Sequence, residues 1–336
     1  MKVWAHISDS LKTCGSCALV TVVEVDGSAP REEGARMVVR QDASFFGTIG
    51  GGTLELEIIR KAAKLAGDRV AVLDMQTVAL GPDLGQCCGG RAKVSIEVLT
   101  ARYAETADLL AQHENGATVF STSAELRDGS VGPRRLLEQT ARHPFELLKD
   151  AETTGARIVE RFGEARTPIA LFGAGHVGKA LVLSLAPLPF SITWIDSRPD
   201  QFPGAVPANV TKVAHENPVS LLDDMPSGAF VLAMTHSHAL DEEIMARALL
   251  MQRFGYCGVI GSKTKRARFV KRLKNRGLSD LLIAQMICPV GKTTIRSKLP
   301  AAIAAGIAVD FLERTEAGQK QETIGPGLAH TRTHGQ

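Results

Sequence analysis

Residues 169–178 read Ile-Ala-Leu-Phe-Gly-Ala-Gly-His-Val-Gly, and no other stretch constrains the fold of this chain as strongly. Four apolar residues lead into Gly173, Gly175 and Gly178, and an apolar helical pattern continues to residue 186. Strand, glycine turn and helix in that order make a dinucleotide-binding βα unit, whose turn brings backbone and helix N-terminus up to an anionic phosphate. Asp196 follows Gly178 by 18 residues at the end of a second apolar run. From there a carboxylate can bond a ribose 2′-hydroxyl. Arg198 instead suits an added phosphate, and a turn that only packs helix on sheet is the plain alternative.

Strand and helix patterns alternate onward from this turn. Strands are predicted at 169–172, 192–196, 230–234 and 257–260, with helices at 176–186, 241–251 and from 263. Such alternation gives a Rossmann-like domain with a mostly parallel sheet. Residues 299–312 form a small-residue helix able to pack closely, and the polar stretch 315–336 reads as a mobile tail. Upstream, apolar β-branched runs at 18–25 and 37–40 and an alternating run at 93–99 read as strands. A short strand is also predicted at 70–74. A helix is predicted over 54–66, with Leu54, Ile58, Ala62 and Leu65 on one face and Thr53 as its cap. The chain is therefore α/β: a small N-terminal α/β domain over 1–102, an extension and linker over 103–166, and the Rossmann-like domain over 167–314.

Composition narrows the function. The 336 residues carry a net charge of +3 and only 5% aromatics, which argues against nucleic-acid binding. The basic run from Lys263 to Arg268 fits the solvated start of a helix. No apolar run is long enough to span a membrane, and the N-terminus lacks a signal-peptide core. Six cysteines, two of them adjacent, do not make a secreted disulfide scaffold, so a reducing cytoplasm is expected.

Four further constellations carry chemistry. Thr235-His-Ser-His-Ala-Leu-Asp241 follows a strand of the parallel sheet, where ligands collect. His236 and His238 there either act on a ligand or only bond backbone, and Asp241 is positioned to cap the next helix. Gln86-Cys-Cys-Gly-Gly90 offers Cys87 or Cys88 as a thiolate on an open loop, or simply two inert loop residues. Gly50, Gly51 and Gly52 before a helix form an anion nest or a turn needing positive φ. Cys14 and Cys17 have redox or zinc spacing without a second pair at finger distance, while Cys257 and Cys288 sit in apolar surroundings and read as core.

Together these motifs resemble one family. Gly27-Ser-Ala-Pro-Arg31, Gly47-Thr-Ile-Gly-Gly-Gly52 and Gly85-Gln-Cys-Cys-Gly-Gly90 look like the N-terminal half of the XdhC/CoxI family, the xanthine dehydrogenase accessory proteins. The glycine turn, Asp196-Ser-Arg198, Thr235-His-Ser-His238 and Gly258-Val-Ile-Gly-Ser262 look like its Rossmann-like half. The resemblance implies a non-enzymatic chaperone for the molybdenum cofactor (molybdopterin). It would shield the cofactor while a cysteine desulfurase sulfurates it, then help insert it into apo-xanthine dehydrogenase. Either Gly50–Gly52 or the turn at Gly173–Gly178 would take the pterin phosphate, with Asp196, His236 and His238 around the cargo. Cys87 or Cys88 would contact molybdenum, and a homodimer is expected. The rival reading is an NAD(P)-dependent oxidoreductase with His236 or His238 as acid/base. Residues 292–298 depart from the family pattern, and over 103–165 no motif carries the resemblance.

Overall fold

The structure, a computed structural model, describes residues 2–79, 89–116, 119–149, 155–292 and 294–323. The chain divides into two compact units, Met1–Ala165 and Arg166–Gln336.

The first unit is built on β1 (Ser16–Asp26), which lies between β2 (Arg36–Val39) and β5 (Arg91–Thr100). With β3 (Phe45–Gly47) and β4 (Leu73–Ala79) these form an antiparallel sheet of order β3-β2-β1-β5-β4. Successive side chains of a strand point to opposite faces, and both faces of β1 are covered. Ala18, Val20 and Val22 meet Leu54, Ile58, Ala62 and Ala66 of α2 (Gly52–Asp68). Cys17 and Leu19 meet Trp4, Ile7 and Leu11 of α1 (Val3–Cys14), joined by Leu110 of α3 (Ala104–Asn115). That is why the run over 16–22 is buried throughout rather than on alternate residues.

The stretch expected to be an extension and linker is instead part of this unit. Beyond α3 it forms β6 (Phe120–Arg127), β7 (Ser130–Val131), β8 (Arg135–Leu136), β9 (Phe145–Lys149) and β10 (Ala156–Phe162). These pair as an antiparallel sheet of order β7-β6-β10-β9, with β8 also on β6. Phe162 sets its ring edge-on to Trp4, with centroids 5.1 Å apart. Arg134 is buried between two carboxylates, Glu97 on β5 and Glu160 on β10, and bonds both. Arg36 of β2 stacks over Phe162 and approaches Glu160 at 3.6 Å. Four charges with little or no exposure, Arg36, Glu97, Arg134 and Glu160, shared between two sheets lock them together, since a buried charge is tolerated only when paired.

The second unit follows the expected alternation. Its sheet is wholly parallel and six-stranded, of order β13-β12-β11-β14-β15-β16. The strands are β11 (Thr167–Phe172), β12 (Phe190–Asp196), β13 (Val210–Ala214), β14 (Phe230–Ala233), β15 (Tyr256–Val259) and β16 (Met286–Ile287). Helices α4 (His176–Leu185), α5 (His238–Met251), α6 (Lys263–Asn275), α7 (Asp280–Ala284) and α8 (Pro300–Thr323) complete it. On one side Phe172, Val231, Ile244 and Leu249 are buried together; on the other, Leu171, Leu181 and Leu232 pack with Ala304, Ile307 and Phe311 of α8. The small residues of α8 thus serve close packing inside this chain, where Gly306 accepts a hydrogen bond from the amide of Lys292. The helix also runs past residue 314, up to which the domain was expected to extend. The rest of the expected tail, 324–336, lies outside the described residues.

Candidate functional site

β11 lies between β12 and β14, so the chain leaves it once in each direction, and the parallel sheet opens a crevice beyond its carboxyl end. The glycine turn enters that crevice. Its three glycines have three jobs. Gly173 has φ +115°, and a Cβ there would run into the carbonyl of Met234 at the end of β14. A Cβ on Gly178 would strike the carbonyl of Gly173, so that glycine seats α4 on the turn. Gly175 has open space where its Cβ would be, and it caps α4 with no side chain accepting from the first-turn amides. Those amides and the positive end of the helix dipole are available to an anion.

Asp196 ends β12 as expected, but it faces its own chain. Oδ2 accepts from the amide of Ala174 at 2.7 Å and from the Arg198 guanidinium at 3.1 Å. Oδ1 accepts from the amide and Nε of Arg198, both at 3.0 Å. Burial alone would raise its pKa, yet the Arg198 side chain and the backbone donors outweigh that and hold the carboxyl below the usual range. A carboxylate offers about four lone-pair sites. Four donors fill them, so none remains for a ribose diol while Arg198 stays in place.

The histidine loop begins where Gly173 ends its approach. Phe172, Ile195, Asp196, Ser197, Pro218, Thr235, His236 and Leu240 line a small pocket of about 10 Å³ beside the turn. That is room for roughly one water-sized group, so the pocket admits only the tip of a larger molecule. His236 lines this pocket and is exposed, as is His238 at the first residue of α5. Asp241 does not cap the helix; Ser237 does, accepting from the amide of Leu240 at 3.3 Å. Asp241 is fully buried and holds the loop from behind, accepting from the amide and hydroxyl of Thr235 at 2.9 and 2.8 Å. Lys265 completes this clamp, 2.8 Å from both Asp241 Oδ2 and the Ile260 carbonyl. Sequence reasoning missed Lys265 because it stands in a basic run that reads as solvated; Arg266 of the same run is tied to the Met286 carbonyl. The spacing from Ser262, which caps α6, was the available signal.

The sites expected in the first unit fare differently. Gly50, Gly51 and Gly52 all have positive φ, as a nest requires, but the nest holds an anion of its own chain. Glu55 Oε2 accepts from Thr48 Oγ1 at 2.5 Å and from the amides of Ile49 and Gly51 at 2.9 and 3.2 Å. Desolvation opposes its ionisation, but those bonds prevail and its pKa is lowered. Thr53 does not cap α2, which starts at Gly52 behind an uncapped Gly51. Cys87 and Cys88 lie outside the described residues. Cys17 is fully buried, and desolvation pushes its thiol up to about 12, which disfavours a redox pair with Cys14. Cys257 is likewise core, pushed up to about 12, and burial raises Cys288 as well. Among the described residues no three His, Cys, Asp or Glu gather as a metal site, and no helix is long and apolar enough to cross a membrane.

Comparison with known proteins places each unit. Residues 169–310 match the XdhC Rossmann domain, and residues 11–76 match the XdhC and CoxI family. The chain belongs to the XdhC and CoxI family. An uncharacterized Escherichia coli protein, YqeB, is 27% identical over 88% of this chain, which spans only 43% of that relative's length. A probable xanthine dehydrogenase subunit from Bacillus subtilis is 26% identical over 75% of this chain and 81% of its own length. A crystal structure of a xanthine dehydrogenase from Bacillus halodurans has the same fold, with TM-score 0.74 at 23% identity, covering 94% of this chain and 96% of that one.

Proposed function

We infer that this chain is an accessory factor for xanthine dehydrogenase rather than the dehydrogenase itself. It binds the molybdenum cofactor as cargo, shields it while a cysteine desulfurase supplies sulfur, and passes it to apo-xanthine dehydrogenase. Membership of the family in both units carries this reading, and the name of the B. subtilis relative ties that protein to xanthine dehydrogenase.

The second unit's crevice fits one end of such a cargo. The free amides at the start of α4, beside the open flank of Gly175, suit the pterin phosphate. Arg198 stands next to them as a cation that can swing to the phosphate and away from Asp196. His236 lines the small pocket beside the same turn. Glu55, which already bonds Thr48 and the amides of Ile49 and Gly51, favours the α4 position over the nest at Gly50–Gly52 for the phosphate. In this proposal Cys87 or Cys88 meets molybdenum, and the chain acts as a homodimer. The oxidoreductase reading is weaker, because it gives no role to the Gln86-Cys-Cys-Gly-Gly90 loop.

The test is reconstitution. Apo-xanthine dehydrogenase is incubated with cofactor, desulfurase and cysteine, with and without this protein. The reading requires faster recovery of xanthine oxidation with the protein, reduced at least tenfold by Cys87→Ala with Cys88→Ala. Equal recovery without it, or NADH binding at micromolar levels that Asp196→Ala abolishes, would replace this reading with the rival.

A further inference from the structure

A second cavity, lined by an unexplained cluster of charge, lies in the first unit, away from every site residue discussed above. It measures about 600 Å³, well within the range of small-molecule sites. Its walls carry Arg102, Arg127, Arg135 and Arg157 against the single carboxylate of Glu125.

The sheet dictates this clustering. Ser123, Glu125 and Arg127 alternate along β6 and share one face. Arg135 of β8 stands opposite Ser123, and Arg157 of β10 stands opposite Glu125. Residues directly opposite on neighbouring strands have Cβ atoms about 5 Å apart, so these side chains converge. Glu125 is taken by Arg127 at 2.5 Å. Arg135 and Arg157 have no ion-pair partner among the described residues. Arg102 is held in place by Tyr103, donating to its hydroxyl at 2.8 Å and lying 4.8 Å from its ring centre. Tyr103 in turn donates to the carbonyl of Val131, and Val131 and Pro133 give the cavity an apolar wall.

We propose that this cavity binds a small phosphate ester, its phosphate held by Arg102, Arg135 and Arg157 and its organic part against Val131 and Pro133. Guanidinium groups arriving from three directions match the oxygens of a tetrahedral dianion better than the two of a planar carboxylate. Mutual repulsion among cations on one sheet face is relieved when such a dianion enters.

Calorimetric titration of the full chain with phenyl phosphate, inorganic phosphate and benzoate tests this. A saturable site is expected for phenyl phosphate, at least tenfold tighter than for benzoate and tighter than for inorganic phosphate, weakening as salt rises. Arg135→Gln with Arg157→Gln should lower that affinity at least tenfold, and so should Arg102→Gln, which leaves the sheet untouched; circular dichroism confirms the fold of each. A lack of saturable binding, benzoate binding equally well, or an affinity unchanged in the variants would overturn the proposal. Because none of these arginines belongs to the glycine-turn crevice, failure here leaves the proposed cofactor cargo standing, and the reverse.

Discussion

At the scale of single residues, the three glycines of the turn separate packing from binding. Gly173→Ala and Gly178→Ala each drive a methyl into a backbone carbonyl, Gly173 with strained φ as well. Each is expected to cost at least about 2 kcal/mol in urea denaturation. Gly175→Ala meets open space at an ordinary φ of −76° and should cost less than about 1 kcal/mol, while placing a methyl where an anion would approach. Asp196→Asn removes the charge from four hydrogen bonds and should lower stability by about 2 kcal/mol at neutral pH. Since the folded-state pKa of Asp196 is depressed, its contribution is complete above the unfolded carboxylate range and is lost as pH falls through the folded value. Denaturation curves of wild type and Asp196→Asn should therefore converge in acid. The sequence identified these positions because glycine spacing and a carboxylate at the strand end are local signals. It did not identify what fills them: Arg198 turning back on Asp196 and Glu55 reaching into the nest are choices of side-chain direction that spacing does not encode.

At the scale of elements, two buried ion clusters organise what the chain presents. Arg134 bonds carboxylates from two sheets, so Arg134→Met should destabilise the first unit by about 3–5 kcal/mol, because Glu97 and Glu160 are left buried without a cation. Replacing all three together with apolar residues should restore most of that loss, read from the same denaturation midpoint. Asp241 and Lys265 clamp the histidine loop. Asp241→Ala is expected to speed amide hydrogen exchange over 235–240 while the exchange of β11 is unchanged. The long runs of the parallel sheet were legible because strands buried on both faces are apolar throughout. Strands β6 to β10 were not: Gly116, Gly129 and Gly132 break the pattern around them, and their anchoring charges, at 97, 134 and 160, are far apart in sequence. β13 and β16 escaped for a related reason, since the sheet edges need few apolar residues to hold them.

At the scale of the whole molecule, each unit has its own core, and each carries its own match to the family, in the same chain order. The motif order therefore revealed the organisation even where the boundary at 102 did not hold, because Trp4, Phe120 and Phe162 close one core across it. The proposed pterin site at the start of α4 is open to direct measurement. Molybdenum cofactor released anaerobically from a molybdoenzyme is mixed with the protein, passed through gel filtration, and counted as molybdenum and oxidised-pterin fluorescence per chain. Wild type should retain the cofactor, and Gly175→Ala should retain at least tenfold less at unchanged stability. No retention by wild type, or equal retention by the variant, would contradict it.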